Sequence, residues 1–137
     1  MGDQLGWLLA EFTRTTAGVR NALVVSADGL KLATSPDVDP ALADQISAAA
    51  CGLVSLARGT AALLAAGPVT QTILEMEKGY LFVTAISQGA TLAVHTERSC
   101  DIGMVGYEMT LVAARVGHVL TPSQRPAPSG PPDRTRR

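Results

Sequence analysis

The sequence predicts a mixed α/β (α+β) fold in the order α-β-β-α-β-β-β-α. Three observations carry this. An apolar run, Ala22 to Val25, is joined through Asp28-Gly29 to a second apolar segment, Leu30 to Ala33. Asp-Gly between two such runs signals a hairpin, because Gly tolerates the positive φ that tight turns demand. Further on, strand-like segments at 69–77, 80–86 and 91–95 are separated only by Lys78-Gly79 and Gln88-Gly89. Connections that short imply antiparallel hairpins. Before, between and after these two groups lie stretches with apolar residues at helical spacing.

The first helix is expected over Asp3–Thr16, with Leu5, Leu8, Leu9 and Phe12 on its inner side. Asp3 is its expected N-cap, Gly18 lies where a C-terminus wants positive φ, and Trp7 is placed on the flank of the inner face. The hairpin follows. Ala22–Val25 shows no alternation of polar and apolar residues, which marks a strand covered on both faces, so helices are expected on both sides of the sheet and the hairpin inside it. Asp39-Pro40 then opens a long helix, with Asp as cap and Pro at the first helical position. It is expected to reach Ala65, ahead of Gly67-Pro68. Its stripe Leu42, Ile46, Ala49, Leu53, Leu56, Thr60 and Leu63 is assigned to the sheet. The opposite stripe, Asp44, Ala48, Cys51, Ser55, Arg58 and Ala62, is mostly small and is flanked by Gly52 and Gly59. Each helix-interior Gly costs about 0.5–1 kcal/mol relative to Ala, so the stripe needs an explanation. Local packing under a loop and the close approach of a second helix, from a partner subunit, both remain open.

The segment 69–77 places Leu74 and Met76 on one face and Glu75 and Glu77 on the other, a half-exposed edge strand. Tyr80 to Ile86 is nearly all apolar and reads as a central strand, and Thr91 to His95 as the last. The final helix is expected over Asp101–Leu120, capped by Ser99 or Asp101, with the stripe Ile102, Val105, Met109, Val112, Val116 and Val119.

Composition limits function. The chain has 137 residues, 47% apolar and 17% charged, enough for one aliphatic core. Residues 1–120 carry a net charge of −4 and residues 121–137 a net +3, from four Arg against Asp133. An acidic body argues against nucleic-acid binding. The division 1–121 and 122–137 separates a folded domain from a Pro/Arg-rich segment expected to be disordered. No signal peptide opens the chain. Ser47–Gly67 is membrane-like in composition, but Arg58 at its centre costs about 2.5–3.5 kcal/mol on insertion. A cytoplasmic protein without direct membrane insertion is expected.

The sequence offers little chemistry. There is no P-loop, and Gly103-Met104-Val105-Gly106 is too short for a dinucleotide fingerprint. No cofactor or metal is expected from two His and two Cys scattered singly. Cys100 with His95 is a conceivable nucleophile pair, and Glu75 with Glu77 a conceivable carboxylate pair. A small buried thiol and a solvated acidic face explain the same residues without catalysis. Asp28 is explained by the hairpin turn.

The segments VRNALVVSADGLKLATS, CGLVSLARG and TQTILEMEKGYLFVTAI, with IGMVGYEMTLVAARVGHVL at the close, resemble the Roadblock / dynein light chain family, and more closely the Roadblock proteins of actinobacterial conservons. The resemblance covers residues 3–121. It implies a five-stranded antiparallel sheet between helices and a homodimer that pairs the long helices and adjoining edge strands. Its implied dimer or partner contact falls on Asp44, Ala48, Cys51, Gly52, Ser55, Arg58 and Gly59 of the helix, and on Thr70, Thr72, Glu75 and Glu77 of the strand. It further implies a non-enzymatic regulator or scaffold of a small Ras-like GTPase. The partners implied are a sensor-kinase-like membrane protein and other conservon components, so that any membrane association comes through them. No arginine finger is assignable; Arg58 and Arg115 qualify only as arginines on helices. Two other classes stay open: a small-molecule sensor, which requires an enclosed pocket with convergent polar groups, and an enzyme using Cys100 or the Glu75/Glu77 pair.

Overall fold

A computed structural model describes residues 2–120. The elements are α1 (Gly2–Thr15), β1 (Val19–Val25), β2 (Lys31–Thr34), α2 (Pro40–Leu64), β3 (Gln71–Met76), β4 (Gly79–Ala85), a 3-10 turn at Ser87–Gly89, β5 (Thr91–Glu97) and α3 (Ile102–Leu120). The five strands form one sheet in the order β2-β1-β5-β4-β3, with every neighbouring pair antiparallel. The element order expected from the sequence therefore holds. The hairpin is less central than expected: β2 is an edge, and β5, joined to β1 and β4, takes the middle. The segment 122–137 lies outside the described residues.

Local chemistry explains most element ends. The hairpin turns through Ala27-Asp28-Gly29, with the Ser26 N–H donating to the Leu30 carbonyl at 2.8 Å and Gly29 at φ 88°. A three-residue loop of this kind needs one residue in the left-handed region, and Gly supplies it. Asp39 caps α2 by accepting the Leu42 N–H at 3.1 Å, with Pro40 in the first turn. Asp101, rather than Ser99, caps α3 by accepting the Met104 N–H at 3.1 Å. Gly18 has the expected positive φ. The expected cap of α1 is corrected: that helix starts at Gly2, ahead of Asp3.

The sheet is covered on both faces, as the apolar run of β1 requires. On one face Ala22, Val24, Phe82, Leu92 and Val94 meet Leu5, Leu9 and Phe12 of α1 and Val105, Met109 and Val116 of α3. Each large side chain buried there contributes about 1.5–3 kcal/mol. On the other face Leu23, Val25, Leu81, Val83 and Ala93 lie under α2 alone.

Three packing expectations fail. The sheet-facing stripe of α2 consists of Ala43, Ser47 and Ala50, with Ile46, Leu53 and Val54 beside them. Leu42, Leu56 and Leu63, together with Ala49 and Thr60, point away from the sheet. The helix is rotated because the strands below present large residues, so small ones must face them at close approach. Trp7 is also exposed rather than packed on the flank of α1, and Ile102 is exposed at the start of α3.

Gly79 illustrates how tightly β4 and β5 are joined. The sequence suggested it as a turn residue, yet Glu77 and Lys78 make the link and Gly79 belongs to β4, opposite Glu97. A Cβ at this position would sit 2.3 Å from the Thr96 carbonyl oxygen, which cannot yield without disturbing the central strand. Gly79→Ala is expected to destabilise the protein by about 1–3 kcal/mol, the range for overpacking, read as a lower urea midpoint. An unchanged midpoint would show that the strands separate freely here.

Candidate protein-protein interface

The outer surface of α2 is its most unusual feature. Ala48, Gly52, Ser55 and Gly59, spaced by four, three and four, form a crest of small residues on the side away from the sheet, all exposed. A Cβ added at Gly52 or Gly59 meets nothing within 4 Å, so no intramolecular packing requires either glycine. Packing under a loop is thereby excluded as the reason for the small residues along the crest. Bordering it are Leu56 at 72% exposure, Leu63 at 87% and the exposed Leu42. Such exposure leaves undone several burials worth about 1.5–3 kcal/mol each. These leucines belong to the site, and assigning them to the sheet missed them. The repeat Leu42, Ala49, Leu56, Leu63 was the available signal: strict seven-residue spacing is that of a helix-helix seam.

The remaining expected residues of α2 lie on one flank. Asp44 faces Lys31 of β2 at 3.8 Å, an exposed pair of little energetic weight. The Cys51 thiol donates to the Ala27 carbonyl at 3.5 Å, beneath the hairpin turn, and here local packing does account for the residue. Arg58, two helical turns on, shares a recess of about 300 Å³ with Val54, Thr70 and Thr72. Arg58, Thr70 and Thr72 are therefore brought together, joining the flank of α2 to β3.

β3 is an edge strand, as expected, and presents an unpaired row of backbone groups. Its side chains are exposed on both faces: Leu74 and Met76 on the α2 side, Ile73 and Glu75 on the other. Glu75 is ion-paired with Arg98 at 2.8 Å; the same guanidinium donates to the Met76 carbonyl at 2.8 Å and lies over the Tyr80 ring. Glu77 lies past the strand end, in the turn, so the two carboxylates do not project as a pair from one regular face. A strand apolar on both faces at a sheet edge, next to a bare helix crest, has the composition of a surface that another protein covers.

The catalytic candidates separate. Side chains alternate along β5, so His95 shares the α2 face with Ala93, whereas Thr96 shares the opposite face with Val94. Cys100 packs on that opposite face, its thiol directed to Thr96 Oγ1 at 3.3 Å. The sheet stands between the proposed nucleophile and base. His95 instead lies 3.3 Å from Asn21 Oδ1 through Nδ1. Burial, with the Arg20 charge nearby, lowers its pKa below the ordinary 6.5. A recess of about 640 Å³ between α3 and the ends of β3 and β4 is an open groove rather than the enclosed pocket a ligand sensor needs.

By length and composition α2 would cross a membrane, with a mean hydropathy of 1.4 over its most apolar window. It cannot both span lipid and cover the sheet, and its ends feed strands of that one sheet, β2 and β3.

The family model of the Roadblock/LC7 domain matches residues 5–96. The crystal structure of a Roadblock/LC7 domain from Streptomyces avermitilis is 32% identical with a TM-score of 0.80, over 84% of this chain and 96% of that one. MglB of Myxococcus xanthus shares the fold, with a TM-score of 0.78 over 85% of this chain and 94% of that one, at 14% identity. A Caenorhabditis elegans homolog of the Ragulator complex protein LAMTOR2 is 32% identical over 99 residues, 72% of this chain and 77% of the relative.

The environment of His95 has a measurable consequence. Its folded pKa lies below 6.5, so the unfolded chain binds the extra proton first as pH falls. Stability is unaffected above that value and declines as pH drops from 6.5 toward the lowered folded value. His95→Gln is expected to flatten this part of the urea-midpoint profile; an identical slope in the variant would assign the pH dependence to other groups.

Proposed function

The chain belongs to the Roadblock/LC7 family, and on that premise we propose that it is a non-enzymatic, homodimeric regulator or scaffold of a small Ras-like GTPase. The observation that carries this reading is the bare crest of α2. Small residues at Ala48, Gly52, Ser55 and Gly59 let a second helix approach closely, and the bordering leucines supply apolar area once covered. Pairing two copies through this crest sets their β3 edges side by side and satisfies the open backbone row. Thr70, Thr72 and Arg58 then line the seam between helix and strand, with Asp44, Cys51, Glu75 and Glu77 on its rim.

Family membership supports a GTPase as the partner. The chain carries no phosphate-binding loop of its own, so the nucleotide would be held by the partner. The wider assembly we propose joins the dimer and its GTPase to a sensor-kinase-like membrane protein and other conservon components, in the cytoplasm. A relative named as a Ragulator complex protein supports membership of a multi-protein assembly.

Ala48→Glu and Ser55→Arg are each expected to convert a dimer to monomer in sedimentation equilibrium while leaving the circular dichroism spectrum unchanged. An unaltered mass in both would refute the crest as the contact. A small Ras-like GTPase from the same gene neighbourhood, which the proposal requires, is expected to co-purify with this protein and to change its rate of GTP hydrolysis on binding. Absence of any association would overturn the GTPase reading and leave the dimer standing.

A further inference from the structure

Helix α3 presents two stripes. The inner one, Val105, Met109, Val112 and Val116, is buried against the sheet. On the opposite side stand Met104, Tyr107, Leu111, Ala114 and His118, spaced by three, four, three and four residues. All five are exposed, Tyr107 at 63% and Leu111 at 44%. Alternation of three and four is the spacing of a helix-helix seam. Its exposure leaves the apolar area of Met104, Tyr107 and Leu111 in water. The flanks of this seam differ. One carries Glu108 and Arg115, the other Gly103, Thr110 and Gly117, all uncharged and small. Among the described residues neither Glu108 nor Arg115 takes part in an ion pair.

We infer that this face of α3 binds the same face of a second copy of the chain, with the two helices antiparallel. Charge selects the occupant, the direction and the register. In a parallel pair the charged flank of one helix meets the small flank of the other, and Glu108 and Arg115 stay unpaired. In an antiparallel pair like flanks meet, so the charges face one another. Setting Leu111 opposite Ala114 of the second copy, and Tyr107 opposite its His118, brings Glu108 beside the second copy's Arg115. The twofold axis repeats that pair with the roles exchanged. The neighbouring registers fail. Leu111 opposite Tyr107 sets Glu108 against Glu108, and Ala114 opposite His118 sets Arg115 against Arg115; like charges so placed oppose association. The favoured register also meets a large side chain with a small one, Leu111 with Ala114. A helix of another protein would have to supply this order of charges, whereas the chain's own α3 already carries it. The contact lies across the sheet from α2 and does not rest on the dimer proposed above; where both form, it doubles that assembly. A seam along one helix is small, so the association is weak and depends on concentration.

In sedimentation velocity of the full chain, the weight-average mass is expected to rise with concentration. Leu111→Glu should abolish that rise and leave the circular dichroism spectrum unchanged, since the side chain is exposed. Glu108→Arg and Arg115→Glu each set like charges at both ends of the seam and should weaken association roughly tenfold. The double reversal Glu108→Arg/Arg115→Glu should restore it to within about threefold of wild type. The quantity read is one doubling of mass, gained or lost, whereas failure of the α2 dimer shows separately in the mass at low concentration. Orientation is read with a nitroxide at Met104→Cys, with Cys51 and Cys100 replaced by Ser. Antiparallel helices carry the two labels to opposite ends of the seam, roughly 25 Å apart at 1.5 Å per residue, and Leu111→Glu should remove that distance. A mass independent of concentration would overturn the second copy as occupant. A double reversal no stronger than the single ones would overturn the register. So would a label separation below about 15 Å, which parallel helices packed 8–10 Å apart require.

Discussion

The stripe Ala43, Ser47, Ala50 on the inner side of α2 governs the rest of the molecule. Below it the strands raise Leu23, Val25, Leu81 and Val83. Interiors pack near crystalline density, so large strand residues under a single crossing helix demand small helix residues in return. With Ala and Ser on the inner stripe and Leu53 at its edge, Leu42, Leu56 and Leu63 face outward. The exposed apolar border of the crest is thus a consequence of how the core is filled.

The two faces of the sheet solve the same problem in opposite ways. Under α1 and α3 the helices contribute the bulk, through Leu5, Leu9, Phe12, Met109 and Val116, and two helices cover β1, β5 and β4. Under α2 one helix covers five strands and leaves β3 bare on that side. A single chain leaves this face open, which is why the helix crest and the edge strand together form the candidate interface. Chemistry is correspondingly sparse. The sheet separates Cys100 from His95, and Glu75 is engaged by Arg98 at the end of β3.

Much of this was readable from residues alone. Asp39-Pro40, Asp101 and Gly29 mark their boundaries because capping and positive φ depend on immediate neighbours. The covered character of Ala22–Val25 and the edge character of β3 follow from their patterns. The phase of α2 was not readable. Alanines recur at nearly every angle around that helix, so apolar periodicity has no single direction, and the seven-residue leucine repeat imitates a core stripe. Trp7 misled as well, since size and apolarity suggested burial and the ring is exposed.

The sequence by itself determined the order of elements, the caps of α2 and α3 and the antiparallel hairpins, because these depend on contacts a few residues apart. Only the tertiary structure decided the strand order that makes β5 central, the close approach that requires Gly79 and the rotation that turns Leu56 and Leu63 outward. Those features depend on which side chains meet across the sheet, and the volume available there is set by residues far apart in the chain.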